Sequence, residues 1–274
     1  MDGSDRAPTV DVAIVNWNTA EAALDAAAAY RASGGVEARV TIVDNDSTAE
    51  QRSLLEAGVP EGVRLVLGDA NLGYGTAANL ALGDGAAGFV CVSNPDVLPT
   101  PDALAGLAAA AEQEPRAGMV GPVFGDTDEY HAALPSAATM LGRIFVGSFR
   151  SKPARMPEGG RVVELDQPSG ACFLVRRETW EEVGGFDEGF FLWYEDVDLA
   201  LRLREAGRRN LVVGSARVGH AGARAFAQID RTRLQAIRLD SIERYIRLHH
   251  PRATPLARPL LAISRRLRAG GAQK

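Results

Sequence analysis

The stretch VDVAIVNWNTAEAALDAAAAYRASGGVEARVTIVDNDS (10–47) decides the fold. A short β-branched apolar run, VDVAIV (10–15), passes through a polar turn into an alanine-rich segment that predicts a helix over about 20–33, and a second apolar run, RVTIVD (39–44), follows. The same order repeats outward, with a helix over about 48–57, the run VRLVLG (63–68), a helix beginning near Tyr74 and the run FVCVS (89–93). Runs that are apolar on both faces and alternate with helices belong in a mostly parallel sheet covered on two sides, an α/β architecture with right-handed crossovers. Its ligands gather at the carboxyl ends of the strands.

Past Pro101 a helix over about 102–114 and the run GMVGPVF (118–124) continue the pattern, whereas residues 125–168 are proline-punctuated, weakly periodic and read as irregular. Regular signals return with GACFLVRR (170–177), a helix from Glu178 to about Val183, a helix from about Asp196 to Ala206, the run NLVVG (210–214) and a charged helix over about 230–249. The expected organisation is one domain over 8–250 with two functional halves that divide near residue 100, followed by a basic tail over 251–274. That tail holds Arg252, Arg258, Arg265, Arg266, Arg268 and Lys274 without an acid, and its leucines and isoleucine can line one helical face. Such a segment suits a peripheral footing on an anionic membrane. The competing reading is a solvated terminus, because glycine and proline interrupt the helical pattern.

The chain has 274 residues, 46% of them hydrophobic and 24% charged, which suits a full globular core. A net charge of -5 argues against a nucleic-acid binder that works by phosphate neutralisation. Two cysteines, Cys91 and Cys172, lie inside apolar runs, so a buried reduced pair and a cytoplasmic compartment are expected. MDGSDRAPTV at the start has no secretory pattern, and no apolar stretch approaches the roughly 20 residues that span a bilayer.

Polar residues crowd the end of every early strand: Asn16-Trp17-Asn18-Thr19, Asp44-Asn45-Asp46-Ser47, Asn71-Leu72-Gly73-Tyr74 and Ser93-Asn94-Pro95-Asp96. Singly, several are ordinary helix caps; together they define a crevice. Asp44 and Asn45 suit a pyrimidine edge, since an amide can accept from an imide N–H while donating to the adjacent carbonyl. Trp17 can stack beside such a ring or belong to the core. Asn71 and Gly73 precede a helix, where backbone approaches phosphate closely. Asp96 can hold a hard divalent cation whose other ligands are water and substrate phosphates, or cap the next helix. In Phe186-Asp187-Glu188-Gly189-Phe190-Phe191-Leu192-Trp193-Tyr194-Glu195-Asp196-Val197-Asp198, carboxylates meet an aromatic wall. Desolvation and like charge there can raise a carboxyl pKa toward that of a general base, although an acidic first helical turn has the same composition. His220, between glycines after a strand, is either a metal or diphosphate ligand or a structural histidine.

The set VAIVNWN, IVDNDS, NLGYGTAAN, SNPDV, SGACFLVRRETWEEVGGFDEGFFLWYEDVDLALRLREAG and His220, covering roughly residues 10 to 225, resembles the family 2 inverting glycosyltransferases, in particular their bacterial rhamnosyltransferase-like branch. The resemblance implies a GT-A fold with a nucleotide-sugar half over about 8–100 and an acceptor half over about 101–250, a nucleotide-diphospho-sugar donor and a glycan or lipid-linked acceptor, with dTDP-L-rhamnose the first choice of donor and a UDP-sugar the second. It implies that Asn16, Trp17, Asp44, Asn45, Asn71, Gly73 and Asn94 line the donor site. Asp96 and His220 would hold Mg²⁺ or Mn²⁺, and Asp196, with Glu195 beside it, would be the base. Two departures stand out. The first acid of the D-x-D metal motif is replaced by Asn94, and the stretch after His220, AGARAFAQID, lacks the expected serine, with Arg224 as a substitute. Rival readings are a nucleotidyltransferase and a non-catalytic sugar-nucleotide-binding module. Against the first, residues 1–100 contain five arginines, no lysine and no basic glycine loop for a triphosphate.

Overall fold

A computed structural model describes residues 6–125, 133–146, 159–220 and 230–271, with backbone alone for 220 and 268–271. The first half follows the alternation in the sequence. Strands β1 (Thr9–Asn16), β2 (Glu37–Asp44), β3 (Arg64–Leu67) and β4 (Phe89–Ser93) are parallel and linked through helices α1 (Ala20–Arg31), α2 (Ala49–Gly58) and α3 (Tyr74–Leu82). β1 is buried from Val10 to Asn16, and its side chains alternate between two layers. Val12 and Ile14 meet Ala23 and Ala27 of α1, while Ala13 and Val15 meet Ala77 and Ala78 of α3. Alanine on the inner helix faces supplies apolar contact without bulk, so the helices lie close to the sheet.

The chain continues through β5 (Val97–Pro99), α4 (Ala103–Gln113), β6 (Ala117–Phe124), α5 (Ala137–Arg143), β7 (Val162–Glu164), β8 (Cys172–Arg176), α6 (Arg177–Glu182), α7 (Glu195–Glu205), β9 (Arg209–His220), α8 (Arg231–His249) and α9 (Thr254–Gly271). One sheet runs in the order β3-β2-β1-β4-β8-β6-β9-β5, with β7 against β9. The expected parallel arrangement holds in β1–β4 and for β6 with β9, but β8 is antiparallel to both β4 and β6. β8 is buried along Cys172–Val175, and a strand buried on both faces has the same composition in either direction. The segment read as irregular contains α5, whose Ser136 hydroxyl accepts from Thr139 N at 3.2 Å, and the three-residue β7, which pairs with β9. Both are too short to show a period. Cys91 and Cys172 are free thiols in the core, as expected.

A third apolar cluster joins Met140 of α5 and Ile144 just after it, Phe190 and Tyr194 of the loop before α7, Leu239, Ile242 and Tyr245 of α8, and Ala257 and Leu261 of α9. The basic terminal segment is thus helical through Gly271 and packed on α8, with Pro259 inside the helix. Among the described residues no helix is long and apolar enough to cross a membrane.

One buried charge fixes α7 in this frame. Asp198, 1% exposed, accepts from Arg202 Nε at 2.8 Å and lies 2.7 Å from His249 Nε2 at the end of α8. Arg202 also donates to the carbonyls of Val183, at 2.6 Å, and Gly185, at 2.8 Å. Removing one member of such a set strands the others, so Asp198→Asn should lower unfolding free energy by roughly 3–5 kcal/mol. Urea unfolding measures this directly, and an unchanged midpoint would contradict the assignment.

Candidate active site

The carboxyl ends of β1, β2 and β4 open on one edge of the sheet. Because β8 runs the other way, its beginning lies there too: Ser93 pairs with Cys172, and Asn94 N donates to Ala171 O at 2.8 Å. The strand-end residues form two hydrogen-bonded sets, joined by Asn45 N donating to Asn16 O at 2.8 Å. Asn16 Nδ2 donates to Asp44 Oδ1 at 3.0 Å and to Ser47 Oγ at 3.2 Å. Asp44, fully buried, also accepts from Ser47 N at 3.2 Å and pairs with Arg52 Nε at 3.4 Å. Asn45 accepts from Leu72 N at 2.9 Å and donates to Asn71 Oδ1 at 3.1 Å and Gly73 O at 3.2 Å. The polar atoms of Asp44 and Asn45 therefore hold the strand ends and the 71–73 loop in place. Left-handed backbone at Asn18 and Asp46, residue types that tolerate it, turns the two strand-end loops toward each other, and Asn18 N donates to Ser47 Oγ at 2.8 Å. Trp17 is half-buried and lies outside the core.

Gly73 joins this wall to the aromatic loop that precedes α7. Its φ is +87°, a Cβ there would overlap the Phe191 carbonyl, and Tyr74 N donates to Phe191 O at 2.9 Å. Only glycine allows both the conformation and the approach.

Asp96 is half-buried where β4 gives way to β5. Antiparallel pairing of β5 with β9 sets the backbone of His220 opposite Val97, the residue after Asp96. The His220 side chain and Arg224 lie outside the described residues. Among the described residues no three His, Cys, Asp or Glu side chains form a metal cage of their own. One carboxylate on a rigid strand end is nonetheless a fitting donor for a hard cation that takes most of its ligands from phosphates and water.

The acid pair opens α7. Trp193 and Tyr194 just before it both have left-handed φ, +66° and +71°, an unfavourable state for bulky residues that the surroundings must impose. Ser241 of α8 donates to Leu192 O at 2.8 Å, Tyr245 packs on Tyr194 at 5.6 Å between ring centroids, and the Arg143 guanidinium sits over the Tyr194 ring. This bracing divides the two acids. Glu195 points inward, 6% exposed, with Oε2 unpartnered; burial and the neighbouring Asp196 charge push its carboxyl up to about 8. Asp196 is half-buried, accepts from Gln167 Nε2 at 3.0 Å and from Val197 N at 2.8 Å, and presses on Gly170, where a Cβ would come within 2.5 Å of its own Cβ. Burial raises the Asp196 carboxyl, while the hydrogen bonds from Val197, Gln167 and Gly170 favour its ionised form.

The structure thus brings Asn16, Asp44, Asn45, Asn71 and Gly73 together along one edge, with Asn94 and Asp96 at the end of β4 and Asp196 against the start of β8. Sequence reading missed Arg52, the counter-charge to Asp44, and Gln167, which holds Asp196. Arg52 looked like an ordinary helix cation, and Gln167 lies in the aperiodic stretch, where its only signal is its place just before SGACFLV.

Because folding raises the Glu195 pKa from an ordinary 4.5 to about 8, the folded state holds that proton more tightly than the unfolded chain. Its contribution to stability is complete below about pH 4.5 and is lost as pH rises through about 8. Urea midpoints should therefore fall across that window, and Glu195→Gln should flatten the decline. A slope equal to that of the parent would mean that Glu195 is ionised throughout.

The sequence profile described as glycosyltransferase-like family 2 matches residues 7–238. A Mycobacterium tuberculosis protein named N-acetylglucosaminyl-diphospho-decaprenol L-rhamnosyltransferase is 36% identical over 220 residues, 72% of this chain and 71% of that protein. Among solved structures, GalNAc-T7 with UDP, GalNAc and Mn²⁺ superposes with a TM-score of 0.57 at 17% identity, over 79% of this chain and 44% of that one. The mannosyltransferase PcManGT of Pyrobaculum calidifontis, with GDP-Man and Mn²⁺, gives 0.55 at 19% identity, over 99% and 83%. The first comparison carries the enzyme class and the last two carry the fold alone: the chain belongs to glycosyltransferase family 2, in its rhamnosyltransferase-like branch, and is a glycosyltransferase of GT-A fold.

Proposed function

We propose that the chain transfers L-rhamnose from dTDP-L-rhamnose to a hydroxyl of a lipid-linked glycan, inverting the anomeric centre, with a UDP-sugar as the second choice of donor. The observation that carries the reading is Asp196, held by Gln167 and the start of β8 on the same sheet edge as Asn94 and Asp96. The name of the mycobacterial relative supports the sugar and a lipid-linked acceptor, and the Mn²⁺ complexes among the structural neighbours support a divalent cation.

Transfer requires the acceptor hydroxyl to lose its proton as it attacks the anomeric carbon, and requires the departing diphosphate to be stabilised. Asp196 accepts the proton at its carboxylate, which the amide of Gln167 and the N–H of Val197 keep oriented. Glu195, holding its own proton, adds no second negative charge beside the base. Asn16, Asp44, Asn45, Asn71 and Gly73 shape the wall that seats the nucleotide, with Trp17 alongside. Asp96 and His220 would hold Mg²⁺ or Mn²⁺, with Asn94 lining the donor site, and a bound cation supplies charge neutralisation for the diphosphate. One base and one displacement invert the centre without a covalent intermediate.

Transfer assays with a panel of nucleotide sugars and an undecaprenyl- or decaprenyl-diphosphate-linked acceptor, with and without Mn²⁺, test this reading. Asp196→Asn should abolish turnover while changing donor affinity by less than about threefold, because the group acts on the acceptor. Asp96→Asn should cut turnover by at least about a hundredfold, the order expected when charge stabilisation is lost. Lethal Glu195→Gln with mild Asp196→Asn would move the base to Glu195. Full metal-dependent turnover by Asp96→Asn would remove Asp96 from the cation site.

A further inference from the structure

α9 carries more apolar surface than folding uses. Ala257 and Leu261 are sealed into the cluster with α5 and α8, and the Ser264 hydroxyl donates to Ile144 O at 2.9 Å, so one face of the helix is fixed by its own domain. Leu256, Ile263 and Leu267 follow at spacings of seven and four residues, which places them on a second, adjoining stripe, with Leu260 at its border partly packed on the cluster. Leu256 is 63% exposed, Ile263 47% and Leu267 68%. Phe145 and Val146, which follow Ile144 in the chain, are exposed as well. Isolated exposed leucines are ordinary; an ordered row of them on a docked helix is surface set aside for contact.

Charge identifies the occupant. No acid occurs from Pro251 to the end of the chain, although the whole chain has a net charge of -5. Arg265 is neutralised by Asp240 and Glu243 of α8, whereas Arg252, Arg258 and Arg266 are exposed and, among the described residues, no carboxylate pairs with them. A second copy of the same basic helix would meet like charge with like charge. An anionic bilayer presents an apolar interior beneath a negative surface, which matches leucines and arginines on one helix.

We propose that α9 is a peripheral membrane anchor, with Leu256, Ile263 and Leu267 entering the interfacial region of an anionic bilayer and Arg266, with Arg252 in the turn before the helix, meeting its headgroups. The proposal goes beyond sugar transfer and does not depend on it, and it explains how an enzyme with no membrane-crossing helix among its described residues would hold station over a lipid-linked acceptor. The test is flotation of the full chain with phosphatidylglycerol-containing vesicles and with pure phosphatidylcholine vesicles, at low and high salt, without donor or acceptor. Binding to the anionic vesicles should be at least tenfold stronger and should fall at high salt. Leu256→Glu with Leu267→Glu, at positions exposed enough to leave unfolding midpoints unchanged, should lower it at least tenfold. Arg252→Gln with Arg266→Gln should lower it and weaken its salt dependence. Equal recovery of the parent chain with both vesicle types would overturn the proposal. So would anionic binding that both double variants retain, or lipid-independent self-association that Leu256→Glu with Leu267→Glu abolishes. None of these results bears on glycosyl transfer, which the soluble donor assay addresses separately.

Discussion

The Asp198 carboxylate is the joint on which the packing of α7 and α8 depends. It is removed from water, so its charge is tolerable only while Arg202 and His249 stay in contact with it. That requirement ties three pieces of chain together. Arg202 extends from α7 to the carbonyls of the 183–185 turn, and His249 brings in the last turn of α8. α8 then lies across the aromatic loop, where Ser241 and Tyr245 hold Leu192 and Tyr194. The left-handed backbone at Trp193 and Tyr194 persists because this clamp gives the loop no other packed arrangement, and the clamp in turn sets the direction in which Glu195 and Asp196 leave it.

The strand-end crevice is held by a different kind of constraint. Its wall is made of short polar side chains whose hydrogen bonds go to one another and, more often, to the backbone of the neighbouring loops, so the wall is ordered by the chain itself. The wall meets the aromatic loop at Gly73 against Phe191, a close backbone contact that admits no side chain at Gly73 without strain. The crevice wall and the acid pair that opens α7 are thus referenced to each other through main chain.

How much of this the sequence disclosed follows from what periodicity can carry. The alternation of apolar runs and alanine-rich segments gave β1 to β4 and α1 to α4 within a few residues, because burial on two faces and close helix packing leave a direct compositional mark. Strand direction leaves none, so β8 looked like another parallel strand. β5, α5 and β7 were illegible because three to seven residues cannot display a period. At the site, strand-end clusters and the acid pair were visible as chemistry, but partners were not. Nothing local announces that Arg52 answers Asp44 or that Gln167 answers Asp196, since those contacts join residues brought together only by the crossovers.

The division of labour within the acid pair is the clearest case of structure deciding what sequence leaves open. Glu195 and Asp196 are adjacent carboxyls at one helix start, so the helix dipole and mutual repulsion act on both. What separates them is direction. Glu195 turns inward behind Tyr74 and Gly75, finds no donor for Oε2 and holds its proton; Asp196 turns toward the start of β8 and meets N–H groups that stabilise its anion. A neutral neighbour adds no second negative charge beside Asp196, whose carboxyl burial already raises. What distinguishes the two carboxyls is thus their surroundings rather than their chemistry: burial with no donor for Glu195 Oε2, against burial partly offset for Asp196 by the N–H groups of Val197, Gln167 and Gly170.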